Sequence, residues 1–225
     1  VADSIDLSLE YYATDLRFAA GLFHKNMDSF IVGQSVTMPY AQTGYPLEFL
    51  AFDPRVNAQT EFTVNQPVNG DGAKVQGIEL ALQADLTFLP GHWRNLGFAA
   101  NLTLADGETT LFNEGQAFKV TPPGLSELAY NITLYYETDS WGLRLSQAYR
   151  DDFITGEGES QNVVEGYDDS RFLDFKAFYN WSDALQFTFE GNNLTDERTR
   201  QFQDNRTQSY SKSGRNVILG LVYKF

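Results

Sequence analysis

The side chains able to do chemistry are few. Cysteine is absent, which excludes disulfides and thiolate metal sites. The two histidines, His24 and His92, are far apart in sequence and fall at opposite ends of the strand pattern described below. They read as solvated or rim residues, and no metal site is expected. No Ser-His-Asp order is persuasive, so no catalytic residues, enzyme activity or cofactor are expected. Asp71-Gly72 reads as a turn and lacks the Gly/Lys spacing of a phosphate loop. Asp151, Asp152, Glu157, Glu159, Glu165, Asp168 and Asp169 crowd one stretch. Their plain reading is a solvated loop; the sharper one is Ca²⁺ binding or polar contact with a sugar or chelate. Aromatic faces beside polar groups stack on sugar rings and on ring-bearing chelates alike. Tyr40, Tyr45, Phe112, Phe153, Phe202 and Tyr210, all in loop-like stretches, are the candidate ligand contacts.

The composition narrows what these residues can serve. A net charge of -14 argues against a nucleic-acid partner, because phosphate contacts need a basic surface. Aromatic residues make up 15% of the chain, with 18 Phe and 12 Tyr. No run of 18 apolar residues exists, which excludes a transmembrane helix. The mean hydropathy of -0.35 looks soluble, but a membrane β-barrel reads the same way, since only alternate residues face lipid. Val1-Ala2-Asp3 leads straight into a strand pattern with no signal peptide, so the chain is expected to begin in the middle of something.

Strand follows strand with period-two alternation. Ile5, Leu7, Leu9 and Tyr11 alternate with Asp6, Ser8 and Glu10; Leu16, Phe18, Ala20 and Leu22 follow, in a strand running on towards Val36. Similar runs start near Ile78, Leu96, Tyr130, Trp141, Leu173, Leu185 and Val217, giving about nine strands. Short connections fall near residues 13, 92, 139 and 183. Long ones, predicted as loops, cover 38–60, 106–127, 151–169 and 197–213. A soluble sandwich has no reason to place every short turn at one end, whereas an outer-membrane barrel does. Asp6, Glu10, Arg17, Glu79, Gln83, Asp85, Asn101, Arg144, Asp174, Lys176 and Glu190 would then point into a wet lumen. Tyr11, Trp141, Tyr179, Trp181, Tyr223 and Phe225 sit near short-turn ends, where an aromatic girdle belongs. Singly, each is better explained by ordinary core packing; together they favour the membrane.

The last strand, Asn216–Phe225, places Val217, Leu219, Leu221, Tyr223 and Phe225 on one apolar face and ends on an aromatic residue. It is expected to face lipid, to close the barrel and to mark the chain for the assembly machinery. An odd strand count with both ends periplasmic suggests that residues 1–225 are the C-terminal part of a larger barrel, unable to fold stably alone.

The stretch Gly191-Asn192-Asn193-Leu194-Thr195-Asp196-Glu197, with Gly214-Arg215 and the ending Leu219-Gly220-Leu221-Val222-Tyr223-Lys224-Phe225, closely resembles the carboxyl-terminal signature of TonB-dependent outer-membrane receptors. Val75-Gln76-Gly77-Ile78-Glu79-Leu80 and Asn131–Glu137, with Arg144 and Tyr149-Arg150, are similar to earlier strands of that family. Gln66-Pro67-Val68-Asn69-Gly70 resembles its carbohydrate-scavenging proteobacterial branch. The resemblance implies an all-β transmembrane antiparallel barrel of about 22 strands, of which this chain holds about nine. It further implies a plug domain filling the lumen, and import of a scarce nutrient with energy drawn through TonB by way of the plug. An oligosaccharide, a ferric siderophore or cobalamin would be the substrate. Expected partners are that ligand, outer-membrane lipid and lipopolysaccharide, the chain's own plug, the TonB complex and the assembly machinery. The alternatives are a passive porin or adhesin barrel, and a secreted soluble β-sandwich that binds carbohydrate. Asn193-Leu194-Thr195-Asp196 reads as a structural element that ends or bends a strand.

Overall fold

The computed structural model describes residues 1–29, 31–113, 116–158 and 162–225. Nine antiparallel strands form one continuous wall: β1 (Ala2–Tyr12), β2 (Leu16–Met27), β5 (Ala73–Asp85), β6 (Leu96–Asn113), β8 (Leu128–Glu137), β9 (Trp141–Arg150), β12 (Ser170–Asn180), β13 (Leu185–Asn192) and β16 (Asn216–Tyr223). Each pairs with the next on this path, and β1 and β16 are its open edges. Four short connections lie at one end, at 13–15, 86–95, 138–140 and 181–184. All four long connections lie at the other.

Register explains why alternation in sequence becomes two chemically different faces. Leu7, Leu22, Ile78, Leu104 and Leu128 stand side by side across five strands. Tyr179, Phe187 and Leu221 do the same across the last three. This face is mostly apolar, with Gln147 and the His24–Gln76 pair as polar exceptions, and much of it is exposed. On β6, Leu96–Leu104 rises about 27 Å along the strand, enough to carry the apolar band of a tilted membrane strand. The opposite face carries Glu10, Ala19, Ala81, Asn101 and Asn131 in one row, and Asp85, Gly97, Tyr135, Arg144, Lys176 and Glu190 in another. Arg144 pairs with Glu137 at 2.7 Å and Lys176 with Glu190 at 2.6 Å, both cation–carboxylate contacts within this polar face. Every residue expected in the lumen lies on it.

The long connections differ from the expected loops. β2 ends at Met27, and a separate strand, β3 (Ile31–Pro39), pairs with β4 (Glu61–Asn69). Two 3-10 turns, Tyr40–Gln42 and Leu47–Phe52, cap that hairpin. β6 runs on past the apolar band to Asn113 and folds back as β7 (Gln116–Val120). The acidic stretch contains β10 (Phe153–Glu157) and β11 (Val164–Tyr167). The segment before the last strand contains β14 (Thr199–Gln203) and β15 (Arg206–Ser211). β15 is polar on both faces and lacks the one-sided alternation that identifies a wall strand, whereas β4 does alternate, with Phe62, Val64 and Val68 on its half-buried side.

Three cross-strand pairs on the polar face join an aromatic ring to a glycine: Phe23 to Gly77, Tyr135 to Gly97 and Phe178 to Gly142. In each, a Cβ on the glycine would collide with the facing ring, so the ring lies flat in the notch that the missing side chain leaves.

Candidate ligand-binding hairpins

The outward hairpins are built as a linked body. β11 pairs with β14, joining the 151–169 and 193–215 connections into one four-stranded sheet, β10-β11-β14-β15. Gly166 permits this approach, because a Cβ there would meet the Phe202 ring and the Phe153 carbonyl. Arg200 Nη1 donates to both Asp168 oxygens at 2.9 and 3.0 Å. Asp204 sits at φ 49 and its Oδ1 accepts the amides of Val163 and Val164 at 2.9 and 3.1 Å. A third connection is tied in by Arg150, which donates to Ser126 Oγ at 2.7 Å and to the Gly124 carbonyl at 2.6 Å. Its guanidinium lies 3.6 Å over the Phe153 ring. The β3–β4 hairpin touches β6 and β10.

These links predict a local opening unit. Asp204→Ala leaves two part-buried amides without their acceptor. Their hydrogen exchange in the full-length receptor should rise about ten-fold or more. Unchanged exchange at Val163 and Val164 would show that the two hairpins do not depend on this joint.

The base of the last hairpin is held by a turn at residues 193–197. Asn193 is 5% exposed at φ 53, and Asp196 lies at φ 59. The Asn193 amide N–H donates to Asp174 Oδ1 at 2.8 Å and its Oδ1 accepts the Glu197 N–H at 2.7 Å. Its Nδ2 donates to the Gly214 carbonyl and to Ser213 Oγ, both at 3.2 Å. Leu194 N–H and Thr195 Oγ1 donate to the β12 carbonyls of Leu173 and Arg171. Arg215, the residue before β16, donates from Nε to the Leu194 carbonyl at 3.1 Å.

Lys212 bonds to the Asp196 carboxylate and holds its pKa below the usual aspartate range. A depressed aspartate contributes stability above its ordinary pKa, near 3.9, and loses it as pH falls through the lower folded value. A nitroxide at Ser209 should therefore gain mobility only below about pH 4, and Lys212→Met should abolish that dependence. A mobility step at neutral pH would contradict the assignment. Asp152 behaves oppositely: burial first, then the neighbouring Asp151 and Asp168 charges, pushes its carboxyl up.

The six aromatic candidates are placed unequally. Tyr40, 8% exposed, is a core residue of its own hairpin: it packs edge-on against Phe62 at 5.3 Å and donates to the Pro46 carbonyl. Phe202, 9% exposed, fills the Gly166 notch. Phe153 is half-buried between Arg150 and Tyr167, and Phe112 is half-buried on the β6 extension opposite Ala117. Tyr45 and Tyr210 are well exposed. Beside Tyr45 stand Leu47, Phe49 and Phe52, also exposed, with Phe52 at 90%. These three are not among the candidates drawn from the sequence, although Tyr45–Phe52 is a dense apolar run inside a polar connection. Glu159 lies outside the described residues. Among the described residues, no group of three or more carboxylates or histidines is arranged to hold a metal ion. His24 lies towards the hairpin end of β2, paired with Ile5 and Gln76, and His92 lies in the 86–95 turn.

Known proteins place this wall in context. Among solved structures, the siderophore receptor PiuA from Acinetobacter baumannii superimposes on all of the chain with a TM-score of 0.63 and 17% identity, over 28% of its own length. The copper transporter OprC matches all of the chain with a TM-score of 0.62 and 15% identity, over 31% of its length. The ferric enterobactin receptor PfeA from Pseudomonas aeruginosa does so with 0.61 and 17%, over 31%. The chain thus spans about a third of the receptors it resembles, and the likeness at these identities is one of fold. No curated protein matches the chain. The model of the family described as "TonB dependent receptor-like, beta-barrel" matches residues 1–194, stopping where the Asn193 turn begins to leave the wall. Its apolar face is turned to the lipid of the bacterial outer membrane, and the chain belongs to the TonB-dependent receptor-like β-barrel family.

Proposed function

We propose that this chain is the C-terminal wall of an outer-membrane receptor that binds a scarce nutrient with its outward hairpins and imports it with energy supplied through TonB. The observation that carries this reading is the linked hairpin body: aromatic groups are displayed on connections that hydrogen bonds and strand pairing fix in place. Pre-organised aromatics lose little freedom when a ligand docks, which is what capture of a dilute solute needs. The plug and the TonB complex are the partners this requires, the plug lying against the polar face of the wall. Tyr45 and Tyr210 are the exposed candidates for ligand contact, with Phe49 and Phe52 beside Tyr45. Phe112 and Phe153 are half-buried and less available, while Tyr40 and Phe202 set loop shape.

The substrate is a small solute carried past the wall. An oligosaccharide fits the Gln66–Gly70 resemblance; a metal chelate fits the company of receptors whose folds superimpose. Binding by the full-length receptor of maltodextrins, ferric siderophores and cobalamin separates these. Tyr45→Ala and Tyr210→Ala should each raise Kd about ten-fold for the ligand that binds, the loss of one stacking contact. Binding unaffected by both substitutions removes these tyrosines from the site. Uptake that survives collapse of the proton gradient favours a passive barrel instead.

A further inference from the structure

The short connections are unequal. Three have three or four residues and carry Asp15, Asp139 and Asp183, with no lysine or arginine. The fourth, 86–95, has ten residues and holds Arg94 and His92. It is a shaped element: Leu86 N–H bonds the Leu96 carbonyl, continuing the β5–β6 ladder, and Leu89 N–H bonds the Leu86 carbonyl. Gly91–Asn95 form a 3-10 turn. The turn is tied on both sides, by the Thr87 hydroxyl to Asp15 and by Asn95 Nδ2 to the Tyr136 hydroxyl at 3.3 Å.

On this framework Phe88 and Trp93 are 77% and 65% exposed. Leu86 and Leu96 continue the outer face of Ala84 and Phe98, and Leu96 lies opposite Tyr136, which stacks on Trp141 at 4.9 Å. The turn therefore continues the lipid-facing belt at its short-turn rim. Among the described residues, Arg94 has no carboxylate within ion-pair distance. Exposed large apolar side chains joined to a lipid belt, next to an unpaired cation, complement the acyl boundary and the phosphate layer of a phospholipid leaflet.

We infer that residues 86–95 form a phospholipid-binding anchor, in which Phe88 and Trp93 enter the headgroup–acyl boundary of the periplasmic leaflet and Arg94 pairs with a lipid phosphate. The inference rests on the membrane setting of the wall and is independent of what the receptor transports.

The test uses the full-length receptor in nanodiscs of phosphatidylethanolamine with phosphatidylglycerol. A nitroxide carried at position 88 or 93 should be reached by oxygen and shielded from a water-soluble nickel chelate. Native mass spectrometry should find phosphatidylglycerol retained about five-fold less by Arg94→Gln than by the unmodified receptor, the loss of one cation at a phosphate layer. Arg94→Lys should restore retention. Labels open to the nickel chelate would overturn the proposal by placing the turn in water. Labels closed to both reagents would overturn it by showing protein, such as a plug or a periplasmic partner, seated on the turn. Equal lipid retention by Arg94→Gln overturns the phosphate contact. Replacing Trp141, which lies in the wall belt, should leave phosphatidylglycerol retention unchanged; an equal loss there would mean that any belt residue suffices and would sink the specific anchor.

Discussion

Asn193→Ala is expected to destabilise the receptor by about 3 kcal/mol. Two effects add. The side chain uses its Oδ1 on the Glu197 N–H and its Nδ2 on the Gly214 carbonyl at a site that is 5% exposed. Removing both partners leaves groups unsatisfied away from water, at a cost of about 1–3 kcal/mol. Alanine must also hold φ 53, a left-handed conformation that asparagine tolerates and alanine resists by about 1 kcal/mol. The two effects separate by substitution. Asn193→Gly relieves the backbone but not the hydrogen bonds, so it should fall between asparagine and alanine. The loss should be local as well as global. The 193–215 hairpin is anchored to β12 through Asp174, Leu173 and Arg171, so proteolysis near Arg206 should accelerate before the wall melts. Urea midpoints of the full-length receptor in lipid bilayers measure the first effect and timed trypsin digestion the second. Equal midpoints for alanine and asparagine would mean that the turn is held from elsewhere.

The wall was legible in the sequence because each strand meets two different solvents. Leu7, Leu9 and Tyr11 lie on one face of β1 and Asp6 and Glu10 on the other, the pattern of a strand with lipid on one side and water on the other. The short turns were legible for the same reason: alternation halts and resumes within a few residues at Ala13-Thr14-Asp15 and Thr138-Asp139-Ser140. The outward hairpins were not legible. β10 and β11 are five and four residues long, too short for alternation to mark Phe153–Glu157 or Val164–Tyr167. Their pairing rests on long-range contacts, Asp204 with Val163 and Arg200 with Asp168. The same holds for the candidate site. Tyr40 and Tyr45 look alike in sequence, but Phe62 and the Pro46 carbonyl bury one while the other stays well exposed. Asn193 announced a turn, while its partners Asp174 and Gly214 could be named only in three dimensions.

Gly97→Ala is the second substitution expected to have a large effect, about 2–3 kcal/mol, although it adds a single methyl group. Gly97 faces Tyr135 across the β6–β8 ladder, and a Cβ would fall on the ring. The ring cannot slide away freely. Its hydroxyl donates to the Asp85 carboxylate on β5, and the Arg144 guanidinium lies 5.5 Å from its centroid. A displaced ring thus gives up a charge-assisted hydrogen bond, a cation–π contact and its bed on the backbone together. The contact is testable by a double-mutant cycle. With Tyr135→Ala already in place, the added methyl meets open space, and Gly97→Ala should cost little. The coupling between the two positions should be about 2 kcal/mol. Additive losses would show that Gly97 serves strand geometry alone. The same cycle at Gly142 and Phe178 should give a similar coupling, since the Phe178 ring occupies the corresponding notch. Phe178 has no hydroxyl, so the difference between the two couplings isolates what the Tyr135–Asp85 bond adds to holding a ring flat on a barrel wall.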